Sequence, residues 1–276
     1  MKQENTSIKV GIIIPVFNVE KTIGKVLTAI NSDILHYISE ILIIDNCSND
    51  RTVKIIHDFA QKNPDFGARV SLVINEENYG YGCSIKTGFE YFLNRPVSHV
   101  MVIHGDHQID PKLLISNLIE SVQANQTLDV VLASRFKSES NLENYSLLRK
   151  LGNYFFNVAT FLCTGLLMSD SGTAMALMKQ SILKEVPFYN LSNSWQFHPQ
   201  LNILLYSTKN IRIKEIAMDW SDSEAPSTVP LFLYGWSLLK ILLSYRFAKT
   251  ILRKTPREIF SIQPLRSDRK FTMVVV

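Results

Sequence analysis

Short apolar runs recur through the first half of the chain and alternate with segments of mixed polarity. Five of these runs predict strands, at residues 10–16, 40–44, 69–74, 99–103 and 129–133. They are almost wholly apolar rather than alternating, which is typical of strands buried on both faces of a parallel sheet.

Helical patterns fill the intervals between these strands, at residues 18–30, 50–61 and 84–93, and a further helix starts at Pro111. Asp50 and Asp110 are suited to the N-cap positions of two of them. Alternating strand and helix predict an α/β fold with a mostly parallel, Rossmann-like sheet flanked by helices. Ligands of such sheets bind at the carboxyl ends of the strands.

Two apolar segments follow in the second half. Segment 151–168 has polar residues three and four apart, so it is predicted to be an amphipathic helix on the sheet rather than a membrane span. Segment 231–245 is shorter than the roughly 20 residues that cross a bilayer, and Lys240 lies near its middle. Its Trp and Tyr residues and the basic run after it favour an amphipathic helix lying in a membrane surface, with a core helix or a dimer contact as the alternative.

We therefore expect two units, a domain of residues 1–228 and an amphipathic, basic C-terminal segment of residues 229–276. The last six residues are expected to form an edge strand or a free end. The last 46 residues carry nine Lys or Arg and two Asp or Glu, which gives +7 and leaves −3 for the first 230 residues of a chain of net charge +4. A basic tail beside an apolar run indicates an anionic surface as partner rather than nucleic acid.

Composition bounds the protein class. A chain of 276 residues with 46% hydrophobic and 20% charged residues is not disordered and has room for a sizeable core. Its three cysteines lack metal-ligand spacing, so we expect thiols in a reducing compartment. The N-terminal residues contain no apolar core of signal-peptide length, so we expect a cytoplasmic protein associated peripherally with a membrane.

The fourth strand is followed by the sequence His-Gly-Asp-His-Gln-Ile-Asp-Pro from His104. His104, Asp106 and Gln108 share a face if the extended backbone persists, and they can then hold a divalent cation against the phosphates of a ligand. The alternative is a polar turn that caps the helix starting at Pro111.

Two other loops carry candidate ligand-binding residues. Asp45, after the second strand, is placed to accept hydrogen bonds from a ribose or a base, although it also suits a turn. Gly80 and Gly82, after the third strand, let backbone approach a ligand, and Lys86 is one turn into the next helix, where it can meet a phosphate. A tight strand-to-helix connection explains the same glycines.

Five blocks in this order and spacing resemble the family 2 glycosyltransferases of the GT-A fold: VGIIIPVFN from Val10, IIDNCSNDRT from Ile43, NYGYGCSIKTG from Asn78, HGDHQIDP from His104 and ASRF from Ala133. They are most similar to the branch of dolichyl-phosphate mannose synthase and bacterial polyprenyl-phosphate sugar transferases. The resemblance implies a nucleotide-sugar donor and Mn²⁺ or Mg²⁺. It also implies that Pro15, Asn18 and Asp45 line the nucleoside pocket and that Asp106 and Gln108 hold the metal. From the loops described above, we also expect Asn78, Gly82, Lys86 and His104 to contact the donor.

The sequence departs from the family pattern in two places. His104-Gly105-Asp106 stands where many relatives have Asp-x-Asp, and a neutral imidazole suits Mn²⁺ better than Mg²⁺. After Asp170, the expected Gly and Arg are replaced by Ala174 and Ala176.

The acceptor is predicted from the second half. Arginines resembling Arg135 and Arg149 grip the lipid phosphate in the polyprenyl-phosphate branch, and guanidinium groups bind phosphate bidentately. For Arg149, an exposed helix start is the alternative. Asp170 is expected to orient donor or acceptor, or to form a turn.

Residues 195–200, Trp-Gln-Phe-His-Pro-Gln, resemble the acceptor helix but contain no carboxylate, which favours a phosphate acceptor because a phosphate needs no deprotonation. His198 is a candidate acceptor-binding residue, or a structural one. If the acceptor is a sugar hydroxyl, His198 or Asp170 is the candidate base.

The expected function is an inverting sugar transfer from a nucleoside diphosphate to a polyprenyl phosphate at the cytosolic face of a membrane. Asp106, Arg135 and Asp170 are the expected catalytic residues. The alternatives are a transferase that extends a cell-surface glycan on a sugar hydroxyl, and a nucleotide-sugar-binding protein without turnover. A homo-oligomer is compatible with the sequence.

Overall fold

The structure is a computed structural model that describes residues 8–31, 33–222, 231–260 and 269–275. The strands are β1 (Val10–Val16), β2 (Ile38–Asp45), β3 (Val70–Asn75), β4 (His99–Val102), β5 (Val130–Ser134), β6 (Leu142–Glu143), β7 (Ala176–Lys179), β8 (Ile213–Ala217), β9 (Trp220–Ser221) and β10 (Phe271–Val275). The helices are α1 (Ile23–Ile30), α2 (Thr52–Lys62), α3 (Pro64–Gly67), α4 (Tyr81–Phe92), α5 (Pro111–Ala124), α6 (Leu147–Thr164), α7 (Gln180–Glu185), α8 (Phe197–Ser207), α9 (Leu231–Thr250) and α10 (Pro256–Ile259). Two 3₁₀ helices lie at Asp33–Tyr37 and Phe188–Asn190.

Eight strands form one sheet in the order β10-β3-β2-β1-β4-β7-β5-β8, and β6 pairs with β9 in a small second sheet. Within the main sheet, β3, β2, β1 and β4 run parallel, and β5 pairs parallel with β8. Strand β7 lies antiparallel between β4 and β5, and β10 is an antiparallel edge strand on β3. The predicted mostly parallel sheet and its five strands are confirmed, and the C-terminal residues take the predicted edge position.

Helices cover both faces of this sheet. Alternate residues of β1 point to opposite sides, so Ile12 and Ile14 pack in one core cluster with α1 and α5, while Ile13 packs in another with α4, α8 and α9. This alternation follows from the period of two along a strand. Both clusters are fully shielded from solvent at these positions.

Two helices begin later than predicted. Helix α1 starts at Ile23 rather than Asn18, because the backbone N–H groups of residues 18, 19 and 20 donate to Ser48 Oγ, Thr52 Oγ1 and Asp50 Oδ2. Those bonds hold a loop, and Asn18 adopts a left-handed φ of 53° within it. The N-cap of α2 is Arg51 rather than the predicted Asp50. The Asp50 carboxylate nevertheless accepts a hydrogen bond from the Thr52 N–H.

The predicted N-cap at Asp110 is confirmed, since its carboxylate accepts from the Leu113 N–H at 3.2 Å and Pro111 occupies the first turn. The predicted division of the chain at residues 228 and 229 lies outside the described residues and stays a prediction. Among the described residues, no helix is both long enough and apolar enough to cross a membrane.

Helix α9 differs from the predicted amphipathic helix. Leu238, Leu242 and Tyr245 are buried in the core, while Phe232 and Trp236 on the other side are exposed. The helix is thus apolar on its inner and its outer face, and it packs beside α6. The alternative prediction, a helix that packs on the core, is therefore correct for one face, and the described residues leave the second apolar face uncovered.

Candidate active site

The carboxyl ends of the parallel strands bring most of the predicted residues to one edge of the sheet. Val16 at the end of β1 is paired with Asp45 at the end of β2, and the Asn46 N–H donates to the Val16 carbonyl at 2.9 Å. Pro15 is paired with Ile44 in the same register. The predicted nucleoside-pocket residues therefore lie side by side because their strands are neighbours.

Asp45 is 1% exposed. Its Oδ2 accepts from the Ser48 N–H at 3.0 Å, whereas its Oδ1 has no hydrogen-bond partner among the described residues. Burial raises the pKa of this carboxyl group, and the hydrogen bonds with Ser48 and Cys47 lower it in part. A buried acceptor without a donor is costly, so Oδ1 is suited to accept a hydrogen bond from a ligand.

Asn18 and Asn78 mainly hold the loops together. Asn18 Oδ1 accepts from the Asn49 N–H at 2.8 Å, and Asn78 Oδ1 accepts from Asn46 Nδ2 at 2.7 Å and from the Gly80 N–H. Asn46 is 6% exposed, and its Oδ1 accepts from the side chain of Asn75. Sequence reasoning missed Asn46, although its position directly after Asp45 marked it as a polar residue at a strand end.

Gly82 and Lys86, both predicted at the donor, contact the segment that precedes α8. A Cβ atom at Gly82 would come within 2.3 Å of the Ser192 carbonyl oxygen, and one at Gly80, where φ is +92°, within 2.3 Å of the Asn193 carbonyl oxygen. The glycines are thus needed for the close approach of segment 192–193. Lys86 is fully buried and donates to the Leu191 carbonyl and to Asn193 Oδ1. Burial lowers its pKa to about 8.

These contacts hold the segment that leads into α8. An aromatic cluster forms at the site where this segment and the first turn of α8 meet Tyr81. The Tyr81 ring stacks on Trp195 with centroids 5.0 Å apart, and its hydroxyl lies 2.7 Å from Nε2 of His104. His198 packs against Tyr81 at 5.5 Å. Tyr81 was not predicted as a site residue, because nothing in its own sequence neighbourhood shows that Trp195 and His104 meet it.

Both histidines of this cluster are neutral at physiological pH. Burial lowers the pKa of His104, an effect that Asp106 opposes and Arg135 reinforces. His198 is 3% exposed, its Nε2 has no partner among the described residues, and burial holds its pKa well below the ordinary value, with a smaller effect of His104.

Asp106 and Gln108 lie half-buried at the loop after β4. Asp106 Oδ1 is 3.5 Å from the Gln108 N–H, and His107 between them has a left-handed φ of 53°. The described residues contain no group of three or more His, Cys, Asp or Glu side chains that could hold a metal ion. One carboxylate and one amide fit a cation whose other ligands are water and substrate phosphates, as is usual for Mg²⁺.

At the end of β5, Arg135 and Asp170 form a bidentate ion pair. Arg135 Nε donates to Oδ2 at 2.7 Å and its second terminal nitrogen to Oδ1 at 2.8 Å, with the two side chains 13% and 1% exposed. The guanidinium also lies over the ring of Trp220 at 5.1 Å. The interaction with Asp170 raises the pKa of Arg135 despite its burial, so this group is always charged.

Helix α6 positions the partner of this arginine. Asn157 donates to the Ser169 carbonyl at 2.7 Å and accepts from the Ser171 N–H at 2.9 Å, which fixes the turn that carries Asp170. Arg149, in the first turn of α6, is bound instead to Asp222 at 2.6 Å. The predicted pair of arginines is therefore not a pair of equivalent groups, because each has its own carboxylate partner.

Comparison with known proteins adds to this geometry. A model of the family described as "Glycosyl transferase family 2" matches residues 11–187. The chain is 28% identical over 183 residues to a UDP-N-acetylglucosamine–dolichyl-phosphate N-acetylglucosaminyltransferase of Methanococcus voltae, which covers 63% of this chain and 70% of that protein. It is 29% identical over 177 residues to an undecaprenyl-phosphate 4-deoxy-4-formamido-L-arabinose transferase of Edwardsiella ictaluri. That alignment covers 63% of this chain and 50% of the relative.

Among solved structures, glucosyl-3-phosphoglycerate synthase from Mycobacterium tuberculosis in complex with Mn²⁺, UDP and phosphoglyceric acid has a TM-score of 0.61 at 14% identity. The superposition covers 96% of this chain and 86% of that chain. Another structure of that enzyme holds Mg²⁺ and UDP. The likeness confirms the predicted GT-A fold.

Proposed function

Because the chain belongs to glycosyl transferase family 2, we propose that it moves a sugar from a nucleoside diphosphate to the phosphate of a polyprenyl lipid, with inversion at the anomeric carbon. The relatives named above act on dolichyl and undecaprenyl phosphates, which supports this class of acceptor. The acceptor side of the site supports it independently.

The proposal rests on one observation: neither of the two candidate bases, Asp170 and His198, is suited to take a proton from a sugar hydroxyl. Both oxygens of Asp170 accept hydrogen bonds from Arg135, so the carboxylate is already committed to a cation. His198 is a weak base, because burial keeps its pKa well below the ordinary value. A sugar hydroxyl needs a base as it attacks, whereas a lipid phosphate is already an anion and needs only positioning and charge compensation.

Arg135 is suited to provide that compensation. A guanidinium has five N–H donors, and the contacts to Asp170 use two of them at the side chain. The remaining donors can bind an oxygen of the attacking phosphate while Asp170 keeps the guanidinium oriented. Burial beside Trp220 strengthens this interaction, since charges interact more strongly where water is excluded.

On the donor side, Asp45 is proposed to accept a hydrogen bond from the nucleoside, and Asp106 with Gln108 to hold the divalent cation. When bound, the cation acts as a Lewis acid on the diphosphate leaving group. His104, neutral and hydrogen-bonded to Tyr81, lies between this loop and α8 and is placed to contact the sugar or the diphosphate. Since such an acceptor is anchored in a bilayer, we propose that the enzyme works at the cytosolic face of a membrane.

A panel of nucleotide sugars, incubated with polyprenyl phosphate and Mn²⁺ or Mg²⁺, tests the proposal. We expect sugar to become extractable into organic solvent with one donor. Transfer to a soluble glycan instead would favour the hydroxyl acceptor. Donor binding without release of nucleoside diphosphate would indicate a binding protein, the alternative that the departures from the family pattern at His104, Ala174 and Ala176 favour.

A further inference from the structure

Most of the exposed large apolar side chains of the described chain lie on α6 and α9. On α6 the exposed apolar residues include a stripe at helical spacing: Leu148, Leu151, Phe155, Val158 and Leu162. On α9 and just after it they are Phe232, Leu233, Trp236, Leu243, Phe247 and Ile251. Phe232 is 84% exposed and Leu148 76%, values unusual for such large apolar side chains. We call these residues the α6–α9 surface.

The two helices lie side by side, so their stripes form one surface. A Cβ atom at Gly235 of α9 would lie 3.2 Å from the Phe156 ring of α6, and Lys249 donates to the Thr164 carbonyl at 2.7 Å. Their inner faces share one core cluster, which includes Phe156 and Ala159 of α6 and Leu238 and Leu242 of α9. Residues on the opposite faces therefore point outward on the same side of the molecule.

The charged residues on α6 and α9 themselves are all basic, and Arg149 of α6 is paired with Asp222. Residues 144–169 contain Arg149 and Lys150 and no Asp or Glu, and residues 231–257 contain six Lys or Arg and again no Asp or Glu. All six basic residues of the second segment are exposed: Lys240, Arg246, Lys249, Arg253, Lys254 and Arg257. The Lys240 ammonium lies 5.4 Å from the centre of the Trp236 ring, so charge and apolar surface meet directly.

We infer that the α6–α9 surface docks on an anionic lipid bilayer, with its apolar side chains in the interfacial region and its basic residues against acidic headgroups. Exposed Trp and Phe with adjacent Lys and Arg match the chemistry of that interface. A second copy of this chain is a poorer fit, because two surfaces that carry only positive charge repel each other. The inference concerns the surface that reaches the membrane and does not depend on which acceptor is used.

The placement of the surface relative to the acceptor residues fits this partner. Helix α6 carries Asn157, which holds the turn of Asp170, and α9 carries Ser237, whose hydroxyl accepts from Gln196 Nε2 at 2.5 Å. Tyr234 of α9 is close enough to Arg135 and Asp170 for their charges to act on it, while burial raises its pKa to about 12. Docking by this surface brings a bilayer to the elements that surround Arg135.

Vesicle sedimentation tests the inference with the whole chain. We expect strong binding to vesicles of phosphatidylcholine with phosphatidylglycerol, weak binding to phosphatidylcholine alone, and release by salt. Phe232→Ser with Trp236→Ser should weaken binding about tenfold, and Lys240→Gln with Arg246→Gln about 30-fold.

Matched controls are exposed residues elsewhere on the molecule. Leu113→Ser on α5, a residue 49% exposed, and Lys62→Gln on α2 should leave vesicle binding unchanged. All these positions are exposed, and circular dichroism melts should show that the variants remain folded.

Vesicle binding that is insensitive to both double variants, or that falls equally with the two controls, overturns the inference. A dimer in sedimentation equilibrium that is dissociated by Phe232→Ser with Trp236→Ser, without vesicle binding, overturns it as well. Transfer to a short lipid phosphate in detergent is measured alongside. If vesicles bind as expected but no sugar is transferred, the proposed function fails while the docking surface stands.

Discussion

The hydroxyl of Tyr81 and Nε2 of His104 lie 2.7 Å apart, although 23 residues separate them in the chain. The same Tyr81 ring is stacked on Trp195, at an interplanar angle of 15°. One side chain thus links the loop after β4, which carries Asp106, to the N-terminal end of α8. Tyr81 therefore holds together the elements that we propose to bind the donor and the acceptor.

Tyr81→Phe should separate the hydrogen bond from the stacking. The ring stays on Trp195, so we expect the fold to persist and kcat to fall about tenfold, which corresponds to one hydrogen bond of about 1.4 kcal/mol. Tyr91→Phe is the matched control, since the Tyr91 hydroxyl also has a partner, Glu40, but lies away from the site. Steady-state kinetics and urea titrations check this, and equal losses of kcat in both variants would refute the linking role.

Arg135→Lys should damage use of the acceptor more than use of the donor. A lysine retains the charge but cannot bind Asp170 and a phosphate through one planar group, so we expect kcat/KM for lipid phosphate to fall about 100-fold. Donor hydrolysis without acceptor should change little. Arg212→Lys is the control, since the exposed guanidinium of Arg212 also pairs with a carboxylate, Asp129, but at the other end of β5. Parallel losses in hydrolysis and transfer would remove Arg135 from the acceptor site.

Lys86→Met tests the structural role assigned to this lysine. Removal of the ammonium deletes its hydrogen bonds to the Leu191 carbonyl and Asn193 Oδ1. We therefore expect the free energy of unfolding to fall by about 1–3 kcal/mol. Nucleotide affinity, measured by calorimetry, should stay within a few-fold of the unmodified chain, in contrast to Asp106→Asn. A large loss of nucleotide affinity with unchanged stability would restore the predicted phosphate contact.

Buried histidines should make the fold less stable in mild acid. His99 is 7% exposed, and burial, with a smaller effect of Lys179, lowers its pKa to about 4. The folded chain therefore binds this proton less readily than the unfolded chain, whose pKa is near 6.5. The contribution of neutral His99 to the free energy of unfolding is complete above about pH 6.5 and is lost as the pH falls toward about 4. At about pH 5 the free energy of unfolding should be lower by about 2 kcal/mol.

Urea titrations between pH 7.5 and 5 measure this loss. His99→Asn should flatten the profile, and His57→Asn, at an exposed position on α2, should leave it unchanged. His104 and His198 act in the same direction, so part of the slope should remain in the His99 variant. A profile that His99→Asn does not alter would contradict the assigned burial effect.

Much of the fold follows from local sequence. The five predicted strands lie within two residues of those observed, because a buried parallel strand requires an unbroken apolar run. Strand β7 was not predicted, since the apolar run at Ala176–Lys179 does not reveal that it inserts antiparallel between β4 and β5. The direction of a strand depends on connections rather than on its own residues.

The site was predictable where strand ends determine it and not where distant segments meet. Asp45 and Asp106 follow apolar runs, and the sheet places them at its carboxyl edge. Lys86 was expected to contact a phosphate. In the structure it donates to the Leu191 carbonyl, which is 105 residues away in the chain, so the sequence around Lys86 does not reveal this partner. Asn18 was predicted to open a helix, but the hydroxyl of Ser48 holds it in a loop. Each difference arises from a tertiary hydrogen bond that local pattern does not encode.

The most direct test of the account is the stoichiometry of the reaction. The chain is incubated with the active nucleotide sugar, Mn²⁺ and polyprenyl phosphate, and the lipid fraction is analysed by mass spectrometry while released nucleoside diphosphate is counted. We predict one glycosyl residue added to the lipid phosphate for each nucleoside diphosphate released, and no product with Asp106→Ala. Release of nucleoside diphosphate at the same rate with and without the lipid, with no glycosylated lipid formed, would contradict it.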